Sequence, residues 1–337
     1  VSVPAYADNG EKGAYYVNAD MGTVDLAMFM GQSNMAGRGE AVDSVVCDPG
    51  HGYEFRAVSD PTKLYDVTEP FGKNENRAVN DGTNKSGSMV SALMESYYQQ
   101  TGVPIVGVSS SQGGTQIDYW QPGGAAIEDS LKRLNDAKTY LLENGYKIGN
   151  CFMVWCQGES DGDADTPLET YVEKTKNMAQ EMITQGGIDK CFMVRIGHKN
   201  GSTKYDEIIS AQSKLCNDDD RFIMASEKFT DMEGYMKDPY HYHQTAYNIV
   251  GADAAASIAS YYYPNTKPVK PDTDTTGKIS ILSNIKTDTE TGITIDAFKT
   301  GIAVCTVKAS DGRLKAMKVY EPSEKAQTIT FDNNTAE

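Results

Sequence analysis

The chain is poor in the residues that mark several large classes of protein. Its 337 residues include 31 Lys and Arg against 47 Asp and Glu, which gives a formal net charge of −16. Nucleic-acid binding relies on clustered basic side chains, so we expect no nucleic-acid partner. No uninterrupted apolar run approaches the roughly 18 residues that cross a bilayer, so we predict no membrane span.

Cysteine and histidine are also scarce, with six and four residues respectively. No Cys-x-x-Cys occurs, and the cysteine spacings are typical of neither a metal site nor a redox motif. Cys151, Cys156 and Cys191 lie in apolar runs, where a buried free thiol is the usual state. The sequence therefore supports no particular disulfide, and a histidine base must be one of very few.

The first residues carry a pattern that is typical of export. Ala5-Tyr6-Ala7 before Asp8 has the small-x-small arrangement of a signal-peptidase site. We therefore expect residues 1–20 to be an N-terminal segment with the end of a signal peptide, and the protein to be secreted.

Short apolar runs alternate with helical patterns over the first 230 residues. The runs cover residues 24–30, 105–109, 151–156, 191–196 and 222–225. The helical patterns cover residues 86–101, 127–144, about 166–184, 203–216 and 245–262. This alternation predicts an α/β domain over residues 21–263 with a five-stranded parallel sheet. Thr166-Pro167-Leu168-Glu169 has the pattern of a capping box. Residues 40–85 show no clear period and are predicted to form loops at a pocket rim.

The composition changes after the last predicted helix. Residues 264–277 are rich in Pro, Thr and charged residues, which is typical of an extended linker. Residues 278–337 then contain five β-type runs separated by turn residues, which predicts a small sandwich-like β module. We find no catalytic group there and interpret it as a spacer or docking module that contacts a cell surface or carbohydrate.

The residues that follow each predicted strand should meet at one edge of the sheet. They are Ser33, Gln112-Gly113-Gly114-Thr115, Gln157-Gly158-Glu159-Ser160-Asp161, Gly197-His198 and Asp238-Pro239-Tyr240-His241. A nucleophile candidate, a glycine pair, a side-chain amide and a histidine with a nearby acid are therefore predicted to share one rim.

Ser33 follows the first strand, where a helix or tight turn should begin. It is a candidate nucleophile, because unpaired backbone N–H groups at a helix start can stabilise an oxyanion. A serine at this position can also simply cap the helix. The motif alone leaves both interpretations open.

His241 is the best candidate for the base. If Asp238 and His241 open the following helix, they lie on one side of a turn, and the carboxylate can hold the imidazole while the other ring nitrogen takes a proton from Ser33. Asp238-Pro239 is equally a good N-cap pair. Of the other histidines, His51 lies in a Gly-rich loop, His198 has no acid close in sequence, and His243 should point elsewhere.

Three further residues are candidates for oxyanion donors. Gly113 and Gly114 either allow positive φ in a turn or bring a bare N–H close to a substrate oxygen. The side-chain amide of Gln157 either donates to that oxygen or satisfies loop carbonyls. A metal site on Asp238, His241 and His243 is the weakest alternative for this region.

The motifs together resemble a known family over about residues 22–262. The segments that carry the resemblance are Phe29-Met30-Gly31-Gln32-Ser33-Asn34-Met35-Ala36-Gly37-Arg38-Gly39, Gln112-Gly113-Gly114-Thr115, Gln157-Gly158-Glu159-Ser160-Asp161 and Asp238-x-x-His241. In order and spacing they resemble the SGNH hydrolases, and among them the sialate O-acetylesterase-like and acetylxylan esterase carbohydrate esterases. The wider superfamily usually has Asn where this chain has Gln157.

The resemblance implies a three-layer, flavodoxin-like fold, no cofactor, and hydrolysis of acetyl esters on sugars. It assigns Ser33 as nucleophile, His241 as base and Asp238 as the acid that orients His241. Gly113 or Gly114 would complete the oxyanion hole with Gln157 and the N–H of Ser33.

We expect the substrate to be an acetylated oligosaccharide, polysaccharide or sialic acid. The predicted pocket residues are Gln32, Glu159, His198 and Trp120. Trp120 and its neighbour Tyr119 either stack on a sugar or pack in the core. Two other functions stay open: an SGNH esterase or lipase acting on other acyl esters, and an inactive carbohydrate-binding homologue.

Overall fold

The computed structural model describes residues 22–264 and, beyond them, residues 281–286, 290–295, 303–308, 314–320 and 327–332. The chain divides into two compact units, Val1–Val269 and Lys270–Glu337. The predicted signal-peptide remnant and almost all of the predicted linker lie outside the described residues.

The first unit is built on a seven-stranded mixed sheet. Its strands are β1 (Thr23–Gly31), β2 (Gly52–Arg56), β3 (Asp60–Asp66), β4 (Ile105–Ser111), β5 (Lys147–Cys156), β6 (Cys191–Val194) and β7 (Phe222–Ser226). Their order in the sheet is β3-β2-β4-β1-β5-β6-β7. All neighbours are parallel except β2 and β3.

The predicted α/β class is confirmed, whereas the predicted strand number is wrong. The five predicted strands correspond to β4, β1, β5, β6 and β7, which are adjacent in the sheet. β2 and β3 lie in the stretch predicted as loops. They were missed because β2 is only five residues long and β3 is mostly exposed at the sheet edge, so neither has a long apolar run.

β1 occupies the middle of the sheet and is covered on both faces. Leu26 and Met28 pack in one core layer, and Ala27 and Phe29 pack in the other. Alternate side chains of a strand point to opposite faces, so a strand buried on both sides is continuously apolar. This explains the uninterrupted apolar run that precedes Ser33.

Helices cover both faces of the sheet. They are α1 (Ser33–Ala36), α2 (Val90–Thr101), α3 (Ala125–Glu143), α4 (Glu159–Asp163), α5 (Leu168–Thr184), α6 (Asp206–Asp218) and α7 (Gln244–Tyr262). α3, α5 and α6 pack on one face, and α2 and α7 on the other, which gives three layers. None of the described helices is long and apolar enough to cross a membrane.

The start of α5 differs from the predicted capping box. The helix begins at Leu168 after Pro167, without a side-chain capping hydrogen bond. The Thr166 hydroxyl donates instead to Asp161 Oδ1 at 3.0 Å. This contact replaces the predicted capping hydrogen bond.

The predicted burial of Cys151, Cys156 and Cys191 as free thiols is confirmed.

The second unit contains five described strands. They are β8 (Ile281–Lys286), β9 (Glu290–Ile295), β10 (Ala303–Lys308), β11 (Leu314–Tyr320) and β12 (Gln327–Asp332). They form an antiparallel sheet of order β12-β9-β8 and an antiparallel pair of β10 and β11. Each strand overlaps one predicted β-type run, and the sandwich-like packing stays a prediction.

Candidate active site

Ser33 lies immediately beyond the carboxyl end of the central strand. β1 ends at Gly31, whose φ is +140°, and a Cβ there would come within 2.0 Å of the Cys156 carbonyl oxygen. Only glycine lets the two strands approach so closely before the chain turns. The N-cap of α1 is Gln32, so Ser33 is the first helical residue, and the interpretation of Ser33 as a cap is wrong.

His241 and Asp238 lie in the loop between β7 and α7. His241 Nδ1 is 2.8 Å from Asp238 Oδ2. Asp238 Oδ1 accepts the backbone N–H groups of Tyr240 and His241, each at 2.8 Å. α7 begins only at Gln244, so the two residues meet through a tight loop around the carboxylate rather than through a helical turn, and Asp238 does not cap α7.

This loop sets the ionisation of Asp238. Burial alone would raise the pKa of Asp238, but the hydrogen bonds from the Tyr240 N–H and from His241 outweigh it and lower the pKa below its ordinary value. Asp238 is therefore a carboxylate at neutral pH. Because it occupies Nδ1 of His241, Nε2 is the ring nitrogen left to exchange a proton.

Ser33 and His241 line the same cavity, which has a volume of about 280 Å³. The other lining residues are Gln32, Arg38, Asp81, Asn84, Gly113, Gly114, Glu159, Ser160, Asp163 and Tyr240. They come from the ends of β1, β4 and β5 and from the loops before α2 and α7. The predicted convergence at one rim thus includes Ser33, the glycine pair, Glu159 and His241.

The two glycines behave differently. Gly113 donates its N–H to Asp81 Oδ1 at 2.7 Å, and a Cβ on Gly113 would lie 2.5 Å from Arg38 Nη2 and 3.4 Å from Ser33 Cβ. Gly114 has a φ of +73°, and a Cβ on Gly114 would have no neighbouring atom of the described residues within 4 Å. A Cβ on Gly113 would displace the Arg38 guanidinium, and Gly114 has a backbone conformation that favours glycine.

Gln157 does not reach the cavity. Its side chain is fully buried, and Nε2 donates to the Thr115 carbonyl at 2.8 Å and to Asp161 Oδ2 at 2.6 Å. The Tyr171 hydroxyl donates to Gln157 Oε1 at 3.1 Å. The prediction that Gln157 donates into the oxyanion hole is therefore not met, because its amide satisfies buried groups.

Gln32 presents an amide to the cavity instead. Its Oε1 accepts Gln157 Nε2 and the N–H of Gly158, both at 3.2 Å, and the N–H of Ser160 at 3.3 Å. Three donors converging on one atom identify it as the oxygen and fix the orientation of the amide. Among the hydrogen bonds of the described residues, none uses Gln32 Nε2. Its position next to Ser33, the candidate nucleophile, was the only sequence signal that Gln32 lies at the cavity.

Glu159 is a buried carboxylate in the wall of the cavity. Oε1 accepts Asn34 Nδ2 at 2.5 Å, whereas Oε2 is buried without a hydrogen-bond partner among the described residues. Burial raises the pKa of Glu159 to about 6, against the opposing effect of the Asn34 hydrogen bond.

Arg38 and Asp81 form an ion pair at the cavity that the sequence did not single out. Arg38 Nη2 is 2.8 Å from Asp81 Oδ2. Arg38 belongs to the opening motif, and Asp81 to the stretch predicted to form a pocket rim. Arg38 could have been predicted at the cavity because it belongs to the opening motif. No sequence pattern singled out Asp81 within residues 40–85.

Two predicted pocket residues lie elsewhere. Trp120 is fully buried, packs edge-on against Trp155 and donates to Thr115 Oγ1 at 3.2 Å. His198 lines a second cavity of about 580 Å³, and its Nε2 is 2.8 Å from Asp206 Oδ1. Trp120 is therefore a core residue, and His198 has an acidic partner that proximity in sequence did not suggest.

The remaining histidines also have other partners. His51 Nδ1 is 2.9 Å from Glu95 Oε2, and with Asp48 these residues offer ligand atoms within 4.8 Å of one another. His243 Nδ1 is 3.2 Å from Glu40 Oε1. Among the described residues, Asp238, His241 and His243 do not form a group that could hold a metal ion.

Comparisons with known proteins bear on this arrangement. Residues 23–260 match the family described as carbohydrate esterase, sialic acid-specific acetylesterase. A protein from Arabidopsis thaliana has a similar structure, with a TM-score of 0.56 and 19% identity over 71% of this chain and 98% of that chain. A carbohydrate acetylesterase from Xanthomonas citri gives a TM-score of 0.48 and 15% identity, over 93% of this chain and 73% of that chain. The comparison with curated protein sequences gives no match.

Proposed function

This chain belongs to the sialic acid-specific acetylesterase family of carbohydrate esterases, and we propose that it removes O-acetyl groups from carbohydrates through Ser33, His241 and Asp238. The observation that carries the proposal is that Ser33 and His241 line one cavity while Asp238 holds Nδ1 of His241. Ester hydrolysis needs this set: a nucleophile, a base for its proton and a group that orients the base.

In the first half of the reaction, Ser33 Oγ attacks the acetyl carbonyl carbon and His241 Nε2 takes the hydroxyl proton. The tetrahedral intermediate collapses as the bond between carbonyl carbon and sugar oxygen breaks, and His241 returns the proton to that oxygen. The sugar leaves and the acetyl group stays on Ser33. Water then attacks the acyl-enzyme with His241 again as base, and acetate and the free Ser33 hydroxyl are released.

Three donors are available for the oxyanion: the N–H of Ser33, the N–H of Gly114 and the side-chain amide of Gln32. Gly113 is left out because its N–H already donates to Asp81. None of the hydrogen bonds among the described residues uses the N–H of Ser33 or Gly114. A well-aimed donor of this kind contributes about 3 kcal/mol to lowering the barrier.

The cavity favours an uncharged polar substrate. Among the described residues that line the cavity, Arg38 is the only Arg or Lys, and it is paired with Asp81. Asp163 at the cavity is paired with Lys199 at 3.1 Å, and Glu159 adds an unpaired carboxylate. A sugar carboxylate such as that of sialic acid would need a free Arg or Lys, so the charges support an O-acetylated neutral sugar.

The same lining argues against the alternative of a lipase. The lining residues that the structure describes include no Val, Leu, Ile, Met or Phe, and a long acyl chain requires apolar surface to be bound. Secretion, and contact of residues 278–337 with a cell surface or carbohydrate, stay predictions beside this proposal.

Acetate release from a panel of esters tests the proposal. We expect the highest kcat/KM on acetylated xylo-oligosaccharides, lower values on O-acetylated sialic acid, and little turnover of an octanoate ester. Ser33→Ala should remove nearly all turnover of an aryl acetate. Wild-type rates in that variant would end the assignment of the nucleophile, and no acetate release by the wild type from any ester would favour the inactive carbohydrate-binding homologue.

A further inference from the structure

Asn34 follows the nucleophile and contacts three other parts of the structure. Its Nδ2 donates to Glu159 Oε1 at 2.5 Å and to the Tyr240 carbonyl at 3.2 Å. Its Oδ1 accepts the Tyr247 hydroxyl at 2.7 Å. Asn34 is 1% exposed, so its bonds to Glu159 and Tyr247 are shielded from water, while the bond to the Tyr240 carbonyl is partly buried.

These bonds connect the two segments that carry the reacting groups. Asn34 is covalently joined to Ser33, and the Tyr240 carbonyl belongs to the peptide bond that precedes His241. A second connection runs from Lys237 Nζ to the Arg38 carbonyl, but it is exposed. Among the described residues, the buried Asn34 side chain therefore joins residues 32–38 (the nucleophile turn) to residues 237–241 (the base loop).

The partners of Asn34 fix which way its amide faces. The Glu159 carboxylate and the Tyr240 carbonyl can only accept, so the reversed orientation would lose both of these bonds, whereas the Tyr247 hydroxyl can donate or accept. A carboxylate is a stronger acceptor than a neutral group. The bond to Asn34 accounts for the buried position of Glu159, whose other carboxylate oxygen has no hydrogen-bond partner among the described residues.

We propose that Asn34 is a positioning residue that holds the His241 loop against the Ser33 turn, with Glu159 as the acceptor that orients its amide. The inference rests on the proposed function, because it concerns the alignment of Ser33 and His241. Asn34 itself touches neither the ester nor the proton that is transferred.

Substitutions at Asn34 test the alignment through kcat. Asn34→Ala removes both donors, and we expect kcat on an aryl acetate to fall at least 30-fold with KM changed less than threefold. Asn34→Asp, nearly the same shape, places an acceptor against Glu159 and the Tyr240 carbonyl and should lose more. Tyr247→Phe, the matched control, keeps both Nδ2 donors and should lose less than fivefold.

A second pair of variants covers the case in which the Asn34 variants fail to fold. Glu159→Gln still offers an oxygen to Asn34, whereas Glu159→Leu offers none. We expect Glu159→Gln to retain at least tenfold more kcat than Glu159→Leu. Equal losses in the two variants would overturn the role of Glu159 as the acceptor.

A double-mutant cycle separates positioning from general support of the fold. In a His241→Ala background there is no imidazole to align, so Asn34→Ala should cause no further loss of the residual turnover. The same 30-fold loss in that background would overturn the proposal. If His241→Ala or Ser33→Ala alone retained wild-type turnover, the proposed function itself would fail, which is a different result.

Discussion

The two halves of the candidate site are built by different means. Gln32, Ser33 and Asn34 are 3%, 7% and 1% exposed and follow a strand that lies between β4 and β5. The side chains of His241 and Asp238 are 21% and 39% exposed and lie in a loop. The candidate nucleophile is placed by the sheet, whereas the candidate base is placed by hydrogen bonds of its loop.

This difference has consequences for precision and for mobility. A central strand with neighbours on both sides opens only with the core of the domain, while a surface loop opens at a lower free energy. The base loop is held by hydrogen bonds that include those of Asp238 and that of the Asn34 side chain. We expect substitutions to affect the two halves in distinct ways.

The largest effect should come from His241→Ala, despite the exposure of this residue. Members of a catalytic set act as a unit, so we expect kcat to fall roughly 10⁴-fold, as for Ser33→Ala. Steady-state hydrolysis of an aryl acetate measures both variants. A fall in kcat of less than tenfold in His241→Ala would mean that His241 takes no part in the reaction.

Gln32→Glu should have the next largest effect. The carboxylate keeps an oxygen for the N–H groups of Gly158 and Ser160 but replaces the amide donor with a negative group. We expect kcat to fall roughly 10²- to 10³-fold, in the range of a lost oxyanion donor. Unchanged kcat with a raised KM would instead place Gln32 in substrate binding alone.

Asp238→Asn should cost less than His241→Ala. Water at this partly exposed position can replace part of the lost interaction, so we expect kcat to fall about 10- to 100-fold relative to the wild type. The comparison needs only the two variants in one assay. The reverse order of effects would show that the acid is assigned to the wrong residue.

The smallest effect concerns stability, and it has opposite signs at the buried Glu159 and at Asp238 in the base loop. The pKa of Glu159 is raised to about 6 from an ordinary value of 4.5, so its stabilisation is complete below pH 4.5 and is lost as pH rises through 6. Glu159→Gln should remove this loss, which corresponds to roughly 2 kcal/mol at pH 7. Urea unfolding between pH 4.5 and 7.5 measures it.

Asp238 provides the contrast in the same experiment. Its pKa is lowered, so its stabilisation is present above the ordinary aspartate pKa and is lost as the pH falls. Asp238→Asn should therefore lower the free energy of unfolding at pH 7, where Glu159→Gln raises it. Changes of the same sign in both variants would contradict this difference between the two carboxylates. Glu159 is buried with no partner for Oε2 among the described residues, whereas Asp238 is partly exposed and hydrogen-bonded through both oxygens.

Much of the site could be predicted from the chain because it lies at strand ends. The apolar run before Ser33 and the glycines after β4 identified the residues that a parallel sheet brings to one edge. Gln157 and Trp120 were placed wrongly because their side chains turn inward and bond to buried groups, and His198 because it lies at a second cavity beside Asp206. Asn34 and Asp81 were missed because their roles depend on partners far away in sequence.

The amino-acid sequence by itself determined the α/β class and singled out Ser33, Asp238 and His241 as candidates, because hydrophobic periodicity and local spacing are properties of neighbouring residues. Only the tertiary structure decided which amide faces the cavity, which glycine N–H is already occupied and how the base loop is held against the nucleophile turn. Those features depend on hydrogen bonds between segments that are distant along the chain, and no local pattern encodes which of several polar partners such a bond will choose.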